Sequence, residues 1–238
     1  MRSITCVMVF LLLTVSTAFS ASQAERQVLP NGLVLLHSER TALPLVQIVL
    51  AVKAGSILDP LGKAGLSNLT TALLDEGTER RSSKEISSAI EFVGGSLRAS
   101  GGADYITVTL SVLKKDLDLG LDLMSDIVLH PAFSDDEIAR QKTLLKGYIR
   151  RQLDEPEALA QKEFMKALFG DQPYGWPVIG TEESLDALTR GDILSFHKRY
   201  YGPNNAIMAV AAPHHHRAEP GGCNPRSHSV SSEKTSRK

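Results

Sequence analysis

Apolar residues recur along this chain in two rhythms, one of period two and one of three to four. Val28-Leu29-Pro30-Asn31-Gly32-Leu33-Val34-Leu35-Leu36 reads as two strands around an Asn-Gly turn. Leu45 to Val52, with its β-branched residues, suits a buried strand. Over Gly62 to Leu74 the rhythm becomes helical: Leu66, Leu69 and Leu73 share a face, and Gly77 follows as a stop. Ser82 or Ser83 can cap a second helix, with Ile86, Ala89, Ile90 and Val93 inward and Gly94-Gly95 ending it.

A hairpin follows. Ser96 to Ser100 is one arm, Gly101-Gly102 the turn and Asp104 to Leu113 the other arm. Ile106, Val108, Leu110 and Val112 alternate with Thr107, Thr109 and Ser111, the pattern of a strand with one wet face. Leu117, Leu121, Met124 and Val128 then line a helix that Pro131 stops. Ser134 with Glu137 forms a capping box for a longer helix to about Leu153. Pro156 opens another helix, to Phe169. The loop Gly170 to Gly180 holds Pro173, Tyr174, Trp176 and Pro177. Thr181 and Asp192 can cap two last helices, and Asn205 to Ala211 closes with a strand.

Strands and helices come in blocks, with hairpins between strands. That predicts an α+β fold: a mostly antiparallel sheet with helices packed on one face, built from residues 25 to 212. No internal repeat is present. The glycine pairs sit in turns and not between a strand and a helix, so no phosphate-binding fingerprint is read.

The ends depart from this pattern. Arg2, the short apolar run Val7 to Val15 and the small residues Ala18-Phe19-Ser20-Ala21 and Ser22-Gln23-Ala24 read as a secretory signal over residues 1 to 24. The run is too short for a membrane span, which needs about 20 apolar residues. The expected location is therefore outside the cytoplasm, periplasmic or secreted, with no stable membrane span once the leader is removed. From Pro213 to Lys238 the only apolar residues are Val230 and Ala218. Such a tail cannot offset the entropy of ordering and is expected to be disordered. His214-His215-His216 offers loose metal binding as a second reading of it, and a genetic frameshift is a third.

Composition narrows the functions. Twenty-six basic against 27 acidic residues give a net charge of -1, with no basic excess to recommend nucleic acid. Two cysteines, Cys6 in the leader and Cys223 in the tail, exclude a disulfide scaffold and a cysteine-rich zinc module.

Short pieces in order carry a resemblance. They are Leu29-Pro30-Asn31-Gly32, Ala54-Gly55-Ser56, Gly62-Lys63-Ala64-Gly65-Leu66, Gly77-Thr78 and Glu91-Phe92-Val93-Gly94-Gly95-Ser96-Leu97. Then come His130-Pro131-Ala132-Phe133, Pro173-Tyr174-Gly175, Gly180-Thr181 and Phe196 to Asn205. Together they resemble the N-terminal domain of the insulinase-like (M16) zinc peptidases, the group of pitrilysin and the mitochondrial processing peptidase. That family places an inverted motif, His-x-x-Glu-His, just after the position of Gly65-Leu66. Two histidines at i and i+4 on one helix face hold zinc, and the glutamate between them is general base to the metal-bound water. A glutamate from a later helix is the third protein ligand.

Registered on Gly65 and on Gly77-Thr78, this chain has Asn68 for the first histidine, Thr71 for the glutamate and Ala72 for the second histidine. Tyr148 stands near the place of the downstream ligand. These four are degenerate zinc-site positions, and the resemblance then implies no catalytic residue and no bound metal, although the family uses zinc. Asp75 and Glu76 read as a solvated helix end, because adjacent residues point to different sides of a helix. His37, His130 and His197 are scattered, and each is expected to pack or cap. Asn68-Leu69-Thr70 fits a glycosylation sequon but sits in a predicted half-buried helix, the wrong context.

Three functions follow from the resemblance. The first is a non-catalytic, exported subunit that pairs with a zinc-bearing homologous peptidase subunit and helps bind peptide substrate. The second is an active zinc metalloendopeptidase, as family membership alone suggests. The third is a truncated orphan domain with a binding role or none.

Overall fold

The computed structural model describes residues 24–39 and 43–213. The leader and tail readings fall, apart from Ala24 and Pro213, outside the described residues. Six strands form one sheet: β1 (Glu25–Val28), β2 (Val34–Glu39), β3 (Leu45–Val52), β4 (Ser96–Gly101), β5 (Ile106–Leu113) and β6 (Ala206–Ala212). Their order is β1-β2-β6-β3-β5-β4, and only the β2–β6 pair is parallel. The fold is α+β with a mostly antiparallel open sheet, as the blocks of strands and helices predict.

Period-two patterning decides which face is dry. Val46, Ile48, Leu50 and Val52 of β3 pair with Val112, Leu110, Val108 and Ile106 of β5, and all eight are buried. Seven α-helices are described: α1 (Leu66–Ala72), α2 (Ser83–Phe92), α3 (Leu117–Leu129), α4 (Asp135–Leu153), α5 (Pro156–Phe169), α6 (Glu182–Ala187) and α7 (Arg190–Tyr200). Leu66 and Leu69 of α1, Ile86 and Ile90 of α2, and Leu123, Met124 and Ile127 of α3 bury themselves in the same core. Helix α1 is central, packed against β4, α7 and α4.

Several local readings need correction. Helix α1 is shorter than Gly62 to Leu74, because Gly65 takes a left-handed conformation (φ 92°) and delays its start. The inward face of α3 includes Met124 and Val128 as read, with Gly120, Leu123 and Ile127 beside them, and Leu121 is exposed. Gly120 faces the sheet closely: a methyl there would fall 3.0–3.2 Å from the Leu110 and Val112 side chains. Ser134 accepts from the Glu137 amide, but Glu137 turns to Arg140, so only half of the capping box forms. Thr189, not Asp192, caps α7; Asp192 is the returning member of that box. Asp192 also pairs with Lys63, which ties α7 to the turn before α1.

Candidate functional site

The N-terminus of α1 has no side-chain cap of its own. Asp59, six residues upstream, supplies it: its carboxylate accepts from the Gly65 and Ser67 amides at 2.8 Å each. The group is buried, and burial pushes its carboxyl up to about 6 against the opposing pull of the Ser67, Gly65 and Leu66 amides. The Ser67 hydroxyl donates to the Ala54 carbonyl, which fixes α1 to the end of β3.

Asn68, Thr71 and Ala72 all lie on α1. Asn68 is half-buried against the end of β4, where a methyl on Gly101 would fall 2.8 Å from its Oδ1. Thr71 is buried, and its hydroxyl donates to the Ser67 carbonyl at 2.8 Å. With that proton committed, the Tyr201 hydroxyl donates to Thr71 Oγ1 at 3.2 Å. Burial raises the Tyr201 pKa, so the phenol stays protonated at neutral pH. Ala72 is half-buried. Tyr148 lies on α4, 45% exposed, with Arg151 over its ring at 5.6 Å.

This set does not fit zinc. Ala72 has no donor atom, the Thr71 hydroxyl is already spent, and an amide and a phenol are poor substitutes for imidazole and carboxylate. No group of three or more His, Cys, Asp or Glu able to hold a metal ion occurs among the described residues. His37 on β2, His130 at the end of α3 and His197 on α7 belong to no such group. His197 Nε2–H donates to the Val128 carbonyl at 2.9 Å, and burial lowers its pKa, which keeps the ring neutral. Glu76 corrects the reading of a solvated helix end. It bonds Arg140 and the Gln141 amide, joining the end of α1 to α4. Asp75 beside it is half-buried, and burial raises its pKa. Thr70 of the sequon is fully buried and bonds the Leu66 carbonyl, so this threonine is not presented to solvent.

Thr71→Val is expected to leave the Tyr201 hydroxyl without its acceptor and cost about 1–2 kcal/mol. Tyr201→Phe in the same chain should recover most of that loss. A double-mutant cycle by urea denaturation checks it; additive losses would mean that the pair is not coupled.

Tyr148 also lines a cleft of about 430 Å³ between α4, α5 and the segment 173–180. Its walls include Tyr148, Leu153, Met165, Tyr174, Trp176 and Ile179, and Ala103 from the β4–β5 turn. The Tyr174 hydroxyl donates to Asp104, which anchors the 173–175 turn to that β-turn. Sequence reading noted Tyr174 as a loop residue in a piece of the resemblance and Trp176 as a loop residue, and missed Asp59. The available signal was Asp59-Pro60 followed by Gly62 and Gly65, an acidic residue just before a glycine-opened helix. Strand β4 pairs with β5 alone and is a sheet edge, and α1 packs beside it. No helix among the described residues is long and apolar enough to cross a membrane.

Comparison with known proteins places this geometry. The family model described as Insulinase (Peptidase family M16) matches residues 34–182. A curated protein called an uncharacterized zinc protease, from Mycobacterium leprae (strain TN), is 35% identical over 186 residues, 78% of this chain and 42% of that protein. Another so named, from Mycobacterium tuberculosis (strain ATCC 25618 / H37Rv), is 32% identical over 192 residues, 81% and 44% of the two chains. Among solved structures, a peptidase M16 inactive domain from Pseudomonas fluorescens aligns with a TM-score of 0.76 at 27% identity, covering 79% of this chain and 46% of that one. A protease from Helicobacter pylori shares the fold, with a TM-score of 0.75 at 23% identity over 82% and 47% of the two chains. The chain thus spans less than half the length of these relatives.

Proposed function

The chain belongs to the insulinase family, peptidase family M16, and from that premise we propose that it is a zinc-less, non-catalytic member that pairs with a zinc-bearing homologue and helps hold peptide. The donor chemistry on α1 and α4 carries this reading. Asn68, Thr71, Ala72 and Tyr148 stand at the family's zinc-site positions, and between them they offer neither a metal ligand set nor a base. Without both, there is no activated water. What remains beside α1 is suited to binding. The free edge of β4 offers backbone donors and acceptors to an extended peptide, and the aromatic cleft beyond Ala103 offers room for side chains. Export to the periplasm or beyond the cell is part of the same proposal and rests on residues 1–24.

The test is the metal content and company of the full chain purified from its source. The expected result is far less than one zinc per chain, no peptide hydrolysis, and co-purification of a homologue that carries His-x-x-Glu-His. One tightly held zinc per chain, lost together with hydrolysis on chelation, would sink the reading. A chain that elutes alone and zinc-free would select a binding domain without a subunit partner.

A further inference from the structure

Asp59 touches none of the cleft's aromatic wall, yet a continuous chain of contacts leads from it to that wall. Its carboxylate holds the Gly65 amide at 2.8 Å. Gly65 lies directly beneath the cleft segment: a methyl there would fall 2.7 Å from the Ile179 carbonyl oxygen. The adjoining carbonyl of Ala64 accepts from the Ser184 hydroxyl at 2.7 Å, and a methyl on Gly180 would meet that same carbonyl at 2.3 Å. Ile179 and Gly180 line the cleft. The turn that Asp59 anchors is therefore the floor on which one cleft wall rests.

We propose that Asp59 is a positioning residue: through the turn 63–67 it sets the place of the wall 177–180, and so governs how tightly the cleft holds peptide. This rests on the reading of the cleft as a peptide site. Packed cores and turns with this little free space shift between discrete arrangements and do not deform smoothly. Loss of the anchor should thus loosen the wall as a unit.

Charged groups on the neighbouring elements are committed elsewhere. Lys63 on the same turn pairs with Asp192 of α7, Asp104 of the β-turn takes the Tyr174 hydroxyl, and Glu182 of α6 pairs with Arg150 of α4. Among the described residues, Asp59 is accordingly a buried carboxyl with backbone donors and no counter-cation. Its carboxyl titrates near 6 when buried, above its ordinary 3.8. The closed turn therefore binds the proton more tightly than an opened one. That contribution to closure is complete below pH 3.8 and is lost as pH rises through 6.

Hydrogen exchange on the full chain, corrected for intrinsic rate, reads the turn and the wall separately. Protection of segments 63–67 and 177–180 is expected to fall together, by up to ~100-fold, between pH 4 and pH 7. Asp59→Asn should flatten that profile in both segments. Gly180→Ala, which attacks the same contact from the wall side and leaves Asp59 in place, should lower protection in both. Binding of a fluorescein-labelled unstructured peptide rich in large apolar residues should weaken about tenfold in each variant that keeps its far-UV circular dichroism. If 177–180 stays protected while 63–67 loosens, the coupling does not exist and the proposal is overturned. If the two segments move together but no peptide binds the wild-type chain at any pH, the peptide reading of the cleft has failed, and the proposal's binding half fails with it.

Discussion

A chain carrying Asn68→His, Ala72→His and Tyr148→Glu together is expected to bind one zinc ion at least ~1,000-fold more tightly than the wild-type chain. Positions 68 and 72 are four apart on α1, so their side chains lie one turn apart on one face, the spacing that lets two imidazoles share an ion. Both sites are half-buried, and neither belongs to the fully buried core, so the larger side chains have room to turn outward. Helix α1 packs against α4, which carries Tyr148, itself 45% exposed. Losing its ring costs only the stacking of Arg151, about 0.5–1 kcal/mol at an exposed site.

Hydrolysis should not return with the metal. Thr71, which the proposed registration sets at the place of the general base, is 1% exposed and bonded to the Ser67 carbonyl and the Tyr201 hydroxyl. Adding Thr71→Glu would bury a charge there and is expected to cost several kcal/mol in stability. Zinc uptake measured against a chelator of known affinity separates the two effects. A folded triple variant that holds no more zinc than wild type would show that these positions are not registered on the family's motif.

Much of this was legible in the residues. Strand β3 falls where Leu45 to Val52 predicts it, because a short apolar run with β-branched residues suits a buried strand. The β4–β5 hairpin, α2, α4 and α5 were likewise set by strong local signals: a capping serine, a proline at a first turn, glycine pairs. What sequence did not give were contacts between distant segments. No local rule says that Asp59 caps α1, that Tyr201 reaches Thr71, or that Glu76 turns to Arg140. Each is a polar group whose partner is supplied by tertiary packing. Leu121 of the α3 stripe was misplaced for a related reason, while Met124 and Val128 are buried as read. Several neighbouring leucines fit more than one helical face, and the place of Gly120 against Leu110 and Val112 decides between them. The residue types on α1 were legible, while the cleft assembled from α4, α5 and the segment 173–180 was not.

Replacing Asp126 by alanine is expected to destabilise the fold by about 1–3 kcal/mol, the cost of leaving the Thr78 hydroxyl and the inward N–H groups of Arg80 and Arg81 without their charged acceptor. The Asp126 side chain, on α3, is wholly inaccessible, yet it sits among three donors from the loop that joins α1 to α2. Arg80 reaches its Oδ1 from Nε at 2.9 Å and from Nη2 at 2.7 Å, Arg81 Nη1 reaches Oδ2 at 2.6 Å, and the Thr78 hydroxyl donates to Oδ2 at 2.9 Å. The same loop is stitched to 130–132 by the Glu79–His130 and Ala132–Gly77 backbone bonds, so the carboxylate is its inner anchor. Burial alone would push this carboxyl up. The bonds from Arg80, Thr78 and Arg81, with the charge of Arg80, outweigh burial and hold it below its ordinary value. For a carboxyl depressed on folding, the stabilisation is present above the unfolded pKa and is lost as pH falls through the folded one. Asp126→Ala should therefore cost most near neutral pH and progressively less in acid, the reverse of the trend expected from Asp59. Asp126→Asn keeps the shape and two acceptor lone pairs but leaves Asp122 as the one carboxylate facing Arg80 and Arg81, so it should recover only part of the loss. Urea denaturation of the three chains at pH 7 and pH 3.5 reads both trends. A loss under 1 kcal/mol at pH 7 would mean that the arginines find water as readily as they find Asp126, and that the loop is held by its backbone bonds alone.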